Sequence, residues 1–139
     1  MALGLTGCGA AERCVPAGSS VVGTGDLAGT YRGVHEAQGA VLTLASVPGW
    51  SGGTLTVEGW PTGPSYRAEL GRTFKGSGTW ELDAGSTGGP LVRLSFTQPH
   101  DWISGDTVDR LAVAADSSRT VLYENSDPDT CPDFRLDRP

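Results

Sequence analysis

Short runs in which apolar and polar residues alternate, cut apart by glycine and proline, constrain this chain more than any other feature. The runs are Gly29–Gly33, Ala40–Ala45, Thr54–Glu58, Tyr66–Leu70, Thr79–Asp83, Leu91–Phe96, Arg110–Ala114, Thr120–Glu124 and Asp133–Asp137. In Thr54–Glu58, Leu55 and Val57 face opposite to Thr54, Thr56 and Glu58; in Thr79–Asp83, Trp80 and Leu82 face opposite to Glu81 and Asp83. A period of two puts one face of each run in a core and the other in water, the pattern of a half-buried strand. Between the runs lie Pro48-Gly49, Gly52-Gly53, Gly63-Pro64, Gly85–Pro90 and Asp116–Ser118, residues that supply turn geometry. Sustained helical spacing free of Gly and Pro is absent from the sequence. The expected fold is therefore all-β. Short links favour a single antiparallel up-and-down barrel of about eight strands, whose closure removes exposed edges. A sandwich with one long crossover is the alternative. At 139 residues the chain has the size of one domain.

The start of the chain points to a compartment. Leu5-Thr6-Gly7-Cys8 resembles a bacterial lipobox, in which an aliphatic and two small residues precede the cysteine that receives the lipid. A full secretory signal has a charged segment and about 7–15 apolar residues. Residues 1–8 are accordingly read as the remnant of a lipoprotein signal, with lipidation at Cys8. Residues 9–25 are small and polar, with only Val15, Val21 and Val22 as bulky apolar groups, and read as a flexible tether. The barrel domain is expected over 26–139. Three cysteines leave one over. Cys8 for lipid leaves Cys14 and Cys131 for a disulfide across the ends of the domain, which would need an oxidising compartment. Such a bridge adds on the order of 4–5 kcal/mol in the chain-entropy account. A Cys8–Cys14 bridge is the competing pairing. The expected location is extracytoplasmic, either lipid-anchored at the cell membrane or secreted.

With Thr79-Trp80-Glu81-Leu82 following Lys75-Gly76-Ser77-Gly78, Gly53–Val57 upstream and Leu122–Asp129 near the end, the chain resembles a group of small actinobacterial lipoproteins. They share Gly-Thr-Tyr/Trp, Gly-Thr-Leu, Gly-Ser-Gly-Thr-Trp and a late Asp-Pro-Asp. The resemblance spans roughly 26–138 and implies a lipocalin-like barrel outside the cytoplasm; it brings no activity and no catalytic residues. Gly29-Thr30-Tyr31 also resembles the Gly-x-Trp that opens lipocalin barrels, with Tyr31 in place of the tryptophan.

Charge and chemistry narrow the function classes. Ten basic against sixteen acidic side chains give a net charge of −6, which opposes sequence-independent attraction to nucleic acid. The two histidines, His35 and His100, lie far apart in predicted loops, and no serine stands out as a nucleophile with an oriented base. Glu58, Glu69 and Glu81 sit on polar faces and read as solvated surface. Asp127, Asp129 and Asp133 are rich in carboxylate, but the spacing lacks the glycine and the bidentate glutamate of a calcium loop. No cofactor, metal site or catalytic residue is expected.

The tryptophans carry the binding expectation. Trp80 falls on an apolar face and reads as core, whereas Trp50, Trp60 and Trp102 lie in or beside loops, where amphipathic aromatics line binding sites. Brought to one end of the barrel with His100, they would form an aromatic mouth; each could equally plug a barrel end. The longest link, Gln98–Asp109, is the expected functional loop. The leading expectation is a lipid-anchored extracytoplasmic binding domain for a small apolar ligand or a protein surface. Its rivals are an inhibitor or immunity-type protein that blocks a secreted enzyme, with an interior already filled, and an enzyme whose cavity shapes a reactive substrate.

Overall fold

Every alternating run except one becomes a strand. A computed structural model describes residues 23–83, 89–99, 101–115, 119–124 and 134–138. A helical turn, α1 (Thr24–Leu27), leads into β1 (Gly29–His35), β2 (Val41–Ser46) and β3 (Gly52–Pro61). A second helical turn, α2 (Arg67–Leu70), precedes β4 (Thr73–Asp83), β5 (Leu91–Gln98), β6 (Arg110–Ala115), β7 (Thr120–Tyr123) and β8 (Phe134–Arg138). Each strand pairs antiparallel with its neighbours in sequence, and β8 returns to β1 through Arg32↔Asp137, Gly33↔Leu136, Val34↔Arg135 and His35↔Phe134. The result is a closed, eight-stranded, up-and-down barrel of lipocalin-like form, which rules out the sandwich.

The exception is Tyr66–Leu70. Its residues alternate, but Arg, Ala, Glu and Leu are strong helix formers. Leu70 N–H donates to Tyr66 O at 2.9 Å and Gly71 N–H to Arg67 O at 2.9 Å, and Gly71 then ends the turn. Strand β4 starts at Thr73 instead, through Lys75–Gly78, whose two glycines give it the look of a turn in sequence.

Strand order fixes which loops share an end. The start of β1 and the β2–β3 link lie at one end of the barrel, called the first; the β3–β4 and β5–β6 links lie at the second. Inward positions supply one continuous core that includes Tyr31, Leu42, Leu44, Leu55, Val57, Trp60, Phe74, Trp80, Phe96, Leu111 and Leu136. Eight strands enclose a lumen just wide enough for side chains to fill.

One irregularity shapes the second end. Leu55 and Val57 point inward, so strict alternation would turn Trp60 outward. The β3–β4 register shifts between Val57 and Trp60, inserting one residue and restoring Trp60 to the inside. Gly59 makes this possible: it has φ 60°, and a Cβ there would lie 2.3 Å from the carbonyl oxygen of Gly39.

Candidate functional site

The β5–β6 seam opens towards the second end. Strand β5 pairs with β4 along its length, from Asp83↔Leu91 to Ser77↔Gln98. With β6 it pairs only through Leu91↔Ala112, Val92↔Leu111 and Arg93↔Arg110, followed by Leu94 N–H donating to Asp109 O at 2.8 Å. Beyond that bond β6 has not begun, and the chain between the strands crosses to the β3–β4 side of the second end.

Contacts with the β3–β4 link hold it there. Trp102 stacks on Phe74 at 4.5 Å between ring centroids and packs against Tyr66 at 4.4 Å. The Tyr66 hydroxyl donates to Asp101 O at 3.4 Å, Ser65 N–H to Asp106 Oδ1 at 3.2 Å, and the Thr107 hydroxyl to Pro61 O. Trp60 Nε1 donates to Val108 O at 3.0 Å from inside the barrel. Within the loop, Gly105 N–H donates to Asp109 Oδ2 at 2.7 Å.

A partly open cleft of about 250 Å³ remains between β5 and this loop. Leu94 and Phe96, both buried, back the cleft from β5; Trp102 and Ile103 contribute apolar surface from the loop, and Asp101 and Asp109 contribute carboxylates. Ile103 is 60 % exposed, an unusual state for a large aliphatic side chain. A second surface depression, of about 410 Å³, lies over Thr56, Glu58, Lys75 and Ser77 on the outside of β3 and β4. Val57, itself buried, is the one aliphatic residue among those that line it.

The three loop-side tryptophans do not converge. Trp60 is wholly buried, edge-on to Phe134 at 5.3 Å and 6.2 Å from Phe96, and belongs to the core. Trp102 is half-buried at the second end, where it walls the cleft. Trp50 is 56 % exposed on the β2–β3 link at the first end, the length of the barrel away. Trp80 is core, its Nε1 donating to Ala45 O at 3.0 Å. Four residues expected to carry function, Cys8, Cys14, His100 and Cys131, lie outside the described residues, as do Asp127, Asp129 and Asp133. His35 is exposed where β1 ends, and Glu58, Glu69 and Glu81 are exposed as their polar positions imply. Among the described residues no three His, Cys, Asp or Glu side chains gather as a metal site, and no helix is long and apolar enough to cross a membrane.

Asp101, Ile103 and Asp109 fall in the loop Gln98–Asp109 expected to carry function, without being singled out there as site residues, whereas Leu94 and Phe96 read only as strand core. The available signal was Ile103, a bulky aliphatic group within a long polar loop. The parting of β5 and β6 has no local signature.

These features define a class: a closed antiparallel β-barrel with a packed interior and an open cleft on one outer seam. Comparison of the chain with protein-family models, curated proteins and solved structures found no match.

Proposed function

We propose that this protein is a lipid-anchored extracytoplasmic recognition domain that binds a protein surface at the β5–β6 cleft. The observation that carries the reading is the division of apolar surface. Inside the barrel it is consumed by packing, with Tyr31, Trp60, Leu42, Leu55, Leu111 and Leu136 all essentially inaccessible. Outside, Ile103 stands exposed beside a cleft of about 250 Å³. That volume falls below the roughly 300–1,000 Å³ of small-molecule sites, and suits one or two protruding side chains of a partner better than a whole ligand. Exposed apolar groups ringed by polar ones are a feature of protein interfaces.

The topology supports a tethered arrangement. The chain enters the barrel at the first end, whereas the cleft opens at the second. A lipid on Cys8 would therefore leave the cleft pointing away from the membrane. Blocking a secreted enzyme is one form such recognition takes.

The test is parallel purification of the full chain and its Ile103→Asp variant from the envelope of the source cells. A protein retained at a fixed ratio by the first and lost from the second supports the reading. An apolar small molecule retained by both, with no accompanying protein, would overturn it.

A further inference from the structure

The backbone of β5 offers more than an apolar wall. Residues of a strand turn N–H and C=O to alternate sides, and a single residue turns both the same way. Leu94 faces β6, as its bond to Asp109 O shows, and Ser95 turns its carbonyl towards Gly78 of β4. Phe96 therefore faces the β6 side again, at a level where β6 has not started and where the cleft lies. Leu94 N–H is already bonded to Asp109 O, so the free edge of β5 begins at Phe96 and runs to Thr97, where the β4–β5 register shifts by one residue between Gly78 and Ser77.

We infer that this free edge accepts an extended segment of the partner as an added strand, antiparallel to β5, and that the segment combines aliphatic with basic side chains. The inference rests on the reading of the cleft as a protein-binding site. Strand addition supplies affinity through main-chain bonds and specificity through alternate side chains. The added strand continues the line of β6 alongside Phe96 and Thr97, at about 3.4 Å per residue. An aliphatic side chain on one face meets Trp102, with Ile103 beside it, while Phe96, only 4 % exposed, offers its main chain and not its ring. The charged complement follows from the lining: its titratable groups are the carboxylates of Asp101 and Asp109. Asp109 accepts Gly105 N–H on Oδ2, and among the described residues its Oδ1 has no hydrogen-bond partner. A lysine or arginine placed near an aliphatic residue satisfies both features, and an acidic segment would be repelled by them and by the net charge of −6.

The probe is a displayed library of random eight-residue peptides, selected on the immobilised full chain and counter-selected on Ile103→Asp and Asp101→Lys. Both side chains are exposed, so the variants should retain the barrel, and their amide spectra verify it. The expected result is enrichment of peptides that alternate aliphatic and Lys or Arg residues. A synthetic copy should shift the amide resonances of Leu94–Thr97 and of the loop after Asp101, and slow exchange of the Phe96 amide at least tenfold. Asp101→Lys should weaken its binding tenfold or more. Enrichment of acidic peptides, or shifts elsewhere on the barrel, would overturn the inference. So would a natural partner whose capture needs Ile103 but which leaves the Phe96 amide unprotected; that outcome would retain protein recognition and discard strand addition. Loss of the partner altogether would instead discard the proposed function.

Discussion

The guanidinium of Arg138 lies over the ring of Tyr31, 5.2 Å from its centroid, where the last strand meets the first. The same guanidinium donates to the carbonyls of Ala28 and Asp26, the latter at 2.8 Å, and to the Thr120 hydroxyl at 3.1 Å. Tyr31 in turn donates its hydroxyl to Leu27 O at 2.7 Å. Two side chains, from the first and the last strand, thereby hold α1 against the barrel and cover its first end. Gly29, at φ 142°, leaves room for the arginine: a Cβ there would sit 2.7 Å from Arg138 Cδ.

Arg138→Ala should lower stability by about 2–4 kcal/mol, from the lost ring contact and the charge-assisted bonds to part-buried acceptors. Arg138→Lys should recover only part, because an ammonium lacks the planar fork that reaches three acceptors. Urea titration measures both, and faster exchange of amides in residues 23–28 should accompany the loss.

Alkaline pH should weaken the fold through Tyr31. Burial raises its pKa from 10.0 to about 12, against a smaller opposing pull from Arg138. The unfolded chain then releases the proton first, so stability is intact below pH 10 and falls as pH rises from 10 towards 12, by about 2–3 kcal/mol in total. Tyr31→Phe should be less stable at neutral pH, since Leu27 O loses its donor, but flatter across that window. Denaturation midpoints at pH 8, 10 and 11 measure the difference; equal slopes for the two proteins would contradict it.

Two tryptophans should behave oppositely. Trp60→Ala removes a fully buried ring and should cost about 3–5 kcal/mol, whereas Trp50→Ala, on an exposed link, should change stability by less than about 0.5 kcal/mol. Thermal unfolding of both variants checks the pair.

Gly59→Ala should cost at least about 1–3 kcal/mol for a non-glycine residue in the left-handed region, before the contact with Gly39 O is counted. A red-shifted Trp60 emission would report the disturbed bulge.

The contrast between these residues explains what could be read in advance. Period-two alternation is local, and it named the strands containing Leu55, Trp80, Val92 and Leu136 correctly. The bulge at Gly59 breaks that period by one residue, which is why Trp60 looks like a loop residue in sequence and is core in space. The run Tyr66–Leu70 alternates yet is a helical turn, and whether it counts as a strand decides which links share an end. In an up-and-down barrel successive links alternate ends, so one extra strand places the links of Trp50 and Trp102 together; removing it places them at opposite ends. The cleft itself depends on where β6 stops pairing with β5, a tertiary event set by Trp102, Tyr66 and Phe74 meeting across two loops.

The most direct test of a filled barrel that recognises proteins at its outer seam is native mass spectrometry of the full chain purified gently from its own host. The account predicts a barrel free of small molecules, carrying a protein partner that dissociates in the Ile103→Asp variant, with the added mass of a lipid on Cys8. A stoichiometric apolar small molecule that survives the Ile103→Asp substitution would contradict it.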